Sequence, residues 1–168
     1  MKAKLIVLSL FAIVSAIALN SYSTYVPSDY EPVLLSRDDL KKSISNQEPR
    51  EITTPGKIYL YSNKIFIVDN YKGIHVFDNT EHTQPKAMGF IYAPGCIDVA
   101  IKDDILYLDN AVDLVAINIA AYPEITVADR VSDVFPEPCP PDYDYIPFEY
   151  RDKNRPKNTV IVNWVKRN

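Results

Sequence analysis

Glycine is nearly missing from this chain, with four in 168 residues. That scarcity leaves little room for a glycine-rich loop that would cradle phosphates, and no Gly-x-Ser-x-Gly elbow or His-Glu-x-x-His helix is present. Histidine is as scarce: His75 and His82 are the only two. With so few imidazoles and two isolated cysteines, the chain falls short of a zinc ligand set. Basic residues number 18 against 22 acidic ones, for a formal charge of −4. They are dispersed rather than clustered, which argues against a nucleic-acid partner, since phosphate recognition needs a basic surface. The inventory predicts no catalytic residue, no cofactor-binding residue and no metal ligand.

The two cysteines are Cys96 and Cys139, the latter within Pro136-Glu-Pro-Cys-Pro-Pro141. In an exported chain this pair could close one disulfide. A sparse pair lacks the density of a disulfide scaffold, so the competing reading is a small buried Cys96 and an unpaired Cys139.

The one long apolar run lies at the start. Lys2 and Lys4 precede the uncharged segment 5–19, and Ala16-Ile-Ala18 supplies small residues for cleavage between Ala18 and Leu19. This pattern reads as an export signal, because the polar Asn20-Ser-Tyr-Ser-Thr24 follows too soon for the roughly twenty apolar residues of a membrane span. The expected address is extracytoplasmic: periplasm, cell surface or secreted. Membrane contact is expected only through this segment, if it is left uncleaved. About 150 residues then remain, enough for one domain with a core of its own.

An internal repeat dominates that remainder. Lys64-Ile-Phe-Ile-Val-Asp-Asn70 recurs as Asp104-Ile-Leu-Tyr-Leu-Asp-Asn110, and each copy is followed by a second apolar run, Gly73-Ile-His-Val-Phe-Asp78 or Asp113-Leu-Val-Ala-Ile-Asn118. A period near forty residues with several short strands per unit is the mark of a propeller blade or a related β-repeat. The predicted fold class is therefore all-β, with antiparallel blade-like repeats of about four strands and one short N-terminal helix. Predicted strands are 57–61, 64–69, 73–78 and 86–92 in the first copy, and 96–101, 104–109, 113–118 and 124–131 in the second. Pro55-Gly56 and Pro94-Gly95 are read as shared punctuation.

The predicted organisation is a signal peptide 1–18, a polar lead 19–54, two repeats 55–93 and 94–131, and a proline- and tyrosine-rich loop with a terminal strand over 132–168. In the lead, Ser36 caps a helix that carries Leu40 and Ile44 on one face, with Asp39 completing a capping box and Pro49 ending it. Alternation in Ile65-Phe-Ile-Val68 and in Ile105 to Leu108 predicts strands buried on both faces. Two blades would then leave Phe66, Leu106 and Val115 uncovered, and self-association is expected.

The Ile-Phe-Ile-Val-Asp and Ile-Leu-Tyr-Leu-Asp cores, the second runs ending in Asp78-Asn79 and Asn118, and the following Pro85 or Pro123 resemble the LVIVD repeat, found in propeller-like exported proteins of Bacteroidetes-type bacteria. The lead residues Tyr30-Glu-Pro-Val-Leu-Leu-Ser-Arg-Asp-Asp-Leu40 and Pro55-Gly-Lys-Ile-Tyr59 resemble the front of that family. The resemblance implies architecture and address, and carries no catalytic residue to this chain. Members commonly place a lipid-bearing cysteine after the signal core, whereas Leu19-Asn20-Ser21 offers none, and they commonly run to more repeats. The chain is expected to be a short or truncated member.

Acidic strand ends recur at Asp69, Asp78, Asp109 and Asp113. They could serve as acid/base pairs or calcium ligands, but such residues routinely close turns on local amides, and no Asp-x-Asp-x-Asp-Gly loop is present. His75, aligned with Val115, reads as a packing residue. Tyr22, Tyr25 and Tyr30 before the repeats, and Tyr143, Tyr145 and Tyr150 after them, suit a protein or glycan interface, or else cover the core from its loops. The expected function is a non-catalytic binding or assembly module of the bacterial envelope, with a protein or glycan ligand. The alternative is a periplasmic hydrolase or accessory subunit that uses acidic residues at the blade ends.

Overall fold

The computed structural model describes residues 26–168. The expected signal, its cleavage point at Ala18 and Leu19, and Tyr22 and Tyr25 lie outside the described residues. The elements are β1 (Tyr30–Ser36), α1 (Arg37–Lys42), β2 (Ser45–Gln47), β3 (Pro55–Tyr61), β4 (Lys64–Asp69), β5 (Gly73–Asp78), β6 (Lys86–Tyr92), β7 (Val99–Lys102), β8 (Ile105–Asn110), β9 (Asp113–Asn118), β10 (Thr126–Val131) and β11 (Thr159–Lys166), with a 3-10 turn at Phe148–Tyr150.

All strand pairing is antiparallel. The first repeat forms β3 to β6, extended at its edge by β2, and the second forms β7 to β10; β1 and β11 make a separate two-stranded sheet. The fold is all-β with blade-like antiparallel repeats of four strands, as the forty-residue period predicts.

The lead folds as its polar signals direct, but over a shorter helix. Ser36 accepts the Asp39 amide at 3.0 Å and donates its hydroxyl to the Asp39 carboxylate at 2.6 Å, while Leu40 is fully buried. The helix stops at Lys42, well before Pro49, because residues 45–47 pair with the free edge of β6 instead. β1 escapes the sequence pattern: it carries Pro32, and its partner β11 lies more than a hundred residues away. A proline is tolerated there because the strand is an edge.

The two repeats bury equivalent faces against each other. Phe66, Val68, Ile74, Val76 and Ile91 of the first sheet share one core with Val99, Ile101, Leu106, Leu108, Val115 and Ile117 of the second. Each such side chain contributes about 1.5–3 kcal/mol by burial. The sheets also meet at their margins: the Tyr59 hydroxyl donates to the Ile101 carbonyl at 3.2 Å, and the Tyr122 hydroxyl reaches Asn46 at 3.0 Å. Burial raises the Tyr122 phenol to about 12. A second cluster joins Leu40, Ala111, Val112, Val160 and Val162 beneath the β1–β11 sheet.

Three expectations are corrected here. Phe66, Leu106 and Val115 are fully buried, because the face-to-face arrangement covers them. The strands are not buried on both sides: Ile65 and Ile67 are half-buried on the outer face, and Tyr107 is 39% exposed. The open apolar strip is instead Ile58 (62% exposed) and Leu60 (67% exposed) on β3, opposite Ile67 and Ile65.

The third correction concerns register. Val68 pairs with Ile74, whereas the equivalent Leu108 pairs with Val115. The second run is therefore displaced by one residue, so Val115 corresponds to Ile74, and His75 to Ala116. A one-residue slip exchanges the faces of a strand. Pro55-Gly56 and Pro94-Gly95 are likewise not equivalent, since the first pair lies within β3 and the second in the connection before β7.

Gly95 does have a fixed role. Its φ is +82°, and a Cβ there would sit 2.6 Å from the Ala111 Cα. That approach lets the turn after β8 lie against the start of the second repeat. Tyr71 and Ala111, forty residues apart, both hold positive φ (66° and 56°) and mark the same turn in each copy.

Candidate functional site

The recurring aspartates close the repeats. Asp69 accepts the amides of Thr53 at 3.1 Å and Thr54 at 2.8 Å, and Asp109 accepts those of Ile97 at 3.0 Å and Asp98 at 2.8 Å. In each copy one carboxylate therefore ties the end of the second strand to the entry of the first. Asp78 and Asn118 are equivalent in the same sense, accepting the amides of Thr80 and Ala120 at 2.9 Å. Asp113 binds Arg130 at 2.8 Å and the Asp133 amide at 3.1 Å.

The two closing carboxylates differ electrostatically. Burial raises Asp69, but the Thr53 and Thr54 amides, the Thr53 hydroxyl and His75 outweigh it and hold the group down to about 2. His75 Nε2 lies 3.3 Å away and Lys72 Nζ 3.6 Å. For Asp109 burial prevails over its amide bonds, and the carboxyl is pushed above its ordinary value. Among the described residues no cation lies within 4 Å of it.

Asp109 also lines a cavity of about 560 Å³. One wall is the outer face of the second sheet, with Ala100, Tyr107 and Leu114, and strand residues Val99 and Leu108, which also belong to the inter-sheet core, line it too; the other wall is residues 135–139. Ile97 and Tyr71 stand at its side. The opposite wall is held in place by the terminal strand. Trp164 Nε1 donates to the Pro138 carbonyl at 2.8 Å, and Glu137 accepts the Ile161 amide at 3.0 Å and the Arg155 guanidinium at 2.8 Å. The amides of Val134 and Phe135 both donate to the Val112 carbonyl, at 2.8 and 2.9 Å, which brings the chain back over the β8–β9 turn. A cavity of this volume, mostly apolar with a few fixed polar groups, suits a small organic ligand.

The charged groups of the cavity are all acidic: Asp98, Asp109 and Glu137. Lys57 Nζ, 2.6 Å from Asp98, holds that carboxyl below its ordinary value despite partial burial. Glu137 is paired with Arg155. Asp109 alone keeps only backbone amides and the neighbouring Cys96 thiol.

Cys96 and Cys139 are both free thiols, not the disulfide offered by the sequence. Cys96 is buried in the core between the sheets, where burial first and then Asp109 push its thiol well up, whereas Cys139 lines the cavity. His82 Nδ1 lies 2.6 Å from the Asn79 carbonyl in an exposed loop. His75 packs edge-on to Phe90, with ring centroids 4.8 Å apart.

Of the tyrosines that flank the repeats, Tyr143 and Tyr145 pack together, with ring centroids 5.0 Å apart, and Arg167 donates to the Tyr150 hydroxyl. Tyr143 bonds the Val26 carbonyl, Tyr150 packs against Trp164 with centroids 5.5 Å apart, and Tyr145 stands exposed. The aromatic groups at the cavity are Tyr71, Tyr107 and Phe135, none of which stands out in sequence. Among the described residues no group of three or more His, Cys, Asp or Glu could hold a metal ion, and no helix is long and apolar enough to cross a membrane. Comparison with protein-family models, curated proteins and solved structures returns no match.

Proposed function

We propose that this is an exported, LVIVD-like β-repeat protein with no catalytic role, acting as a binding or assembly module at the bacterial envelope. The observation that carries the binding reading is the cavity between the second sheet and residues 135–139, whose walls are rigid strands on one side and a loop pinned by Trp164 and Arg155 on the other. A preformed apolar site of this kind binds without further ordering. The open strip at Ile58 and Leu60 supports the assembly half, because contiguous exposed apolar side chains favour protein contact. Export and family membership rest on the signal-like start and the repeat cores.

The rival reading, a hydrolase or accessory subunit, has one observation in its favour: Asp98, Asp109 and Glu137 line one cavity. Each is already engaged, by Lys57, by two amides and by Arg155. Alanine variants of Asp69, Asp98, Asp109 and Glu137, assayed with the parent chain against a glycan and nucleotide panel, separate the two. The binding reading expects no turnover by any chain. Turnover by the parent that collapses with a single carboxylate would establish the enzyme.

A further inference from the structure

The two repeats offer an internal control for what is missing at the second one. In the first repeat, the outer face beside the closing carboxylate is filled. His75 stands over Asp69, packs on Phe90, and Arg50 lies 4.1 Å above the Phe90 ring. Lys72 adds a second cation. In the second repeat the pairing register places Ala116 where His75 stands, since Ile67 faces His75 and Tyr107 faces Ala116. The site of Phe90 becomes Asp129 by the same register. Asp109 thus has no counterpart of the imidazole that stands over Asp69, and the cavity opens beside this carboxylate.

Building on the binding reading above, we infer that the cavity takes a small organic cation, an amine on an apolar, aromatic-sized body, with Asp109 as its counter-ion. Charge and shape both point there. The lining carries three carboxylates and no basic side chain. Two of those carboxylates already have a cationic partner, so the third is where a ligand cation is placed. Asp109 is held in position by the Ile97 and Asp98 amides and is 8% exposed, so an ammonium group reaching it exchanges water for a fixed charge in a poorly hydrated site. The body of the ligand would lie along Tyr107, Leu114 and Phe135. The raised pKa of Asp109 agrees with a carboxylate that lacks a cation.

The chain carries its own reporter. Trp164, the single tryptophan, is bonded to Pro138 on the cavity wall. Phenethylamine, 2-phenylethanol and phenylacetate share one ring and differ in charge, and each is titrated against Trp164 emission and by calorimetry. Phenethylamine is expected to bind roughly tenfold more tightly than the alcohol, the increment of one charge-assisted contact, and phenylacetate to bind worst. Asp109→Asn should equalise amine and alcohol. Because Asp109 also closes the repeat, Ala116→His provides a second variant that keeps it. The introduced imidazole reproduces the first repeat's pairing, and amine binding should fall to the level of the alcohol or below in a chain of unchanged melting temperature. If amine and alcohol bind alike to the parent chain, the cation assignment is overturned while the binding cavity stands. If none of the three binds, both are overturned. Amine binding that persists in a folded Ala116→His chain would show an adventitious surface contact and overturn the assignment.

Discussion

Leu108→Asp is expected to leave the chain unfolded, whereas Ile67→Asp, on an equally apolar-looking strand, is expected to fold. Leu108 is 2% exposed within the core shared by the two sheets. A carboxylate there has no cation to meet, and the cost, above about 5 kcal/mol, is comparable with the whole stability of a domain of this size. Ile67 is half-buried on the outer face, so its replacement should cost about 1 kcal/mol. Urea denaturation followed by far-UV circular dichroism compares them. Equal loss in both variants would mean that the outer face is covered after all.

Asp69→Ala should be the most damaging change that touches no apolar contact. It orphans the Thr53 and Thr54 amides and removes the partner of His75, at about 3 kcal/mol. The same carboxylate sets an acid transition. Its folded pKa, about 2, lies below the ordinary 3.8. Its stabilisation is therefore fully present above pH 3.8 and is lost as pH falls from about 4 to about 2, amounting to roughly 2 kcal/mol. Asp109 has the opposite sign: its folded pKa is raised, so its favourable contribution is present below 3.8 and fades as pH rises through the folded value. Asp69→Ala should thus flatten the fall in urea midpoint between pH 4 and pH 2, and Asp109→Asn should not. An unchanged acid transition in Asp69→Ala would place the sensitivity elsewhere.

Much of this architecture is legible in the sequence because it is local. The strands 64–69, 73–78, 86–92 and 113–118 follow from apolar runs bounded by turn residues, and Ser36 with Asp39 announces the helix start. What stays hidden depends on register and on distant pairing. The one-residue displacement between β5 and β9 changes no composition, yet it decides that Val115 rather than Ala116 enters the core. Strand β1 carries a proline and no apolar-polar alternation, and becomes a strand only when residues 159–166 arrive beside it. Asp109 was visible as a recurring strand end. The cavity was not, because its walls come from β7, β8 and a proline-rich loop that Trp164 and Arg155 hold from the far end of the chain.

The most direct test of a binding module with a preformed cavity is to map amide chemical shifts while a fragment set of neutral, cationic and anionic ring compounds is titrated in. The account predicts shifts that saturate and converge on Tyr71, Tyr107, Leu114, Phe135, Glu137 and Cys139. Shifts that scatter over the surface, or gather on the Ile58 and Leu60 strip and leave the cavity unmoved, would contradict it.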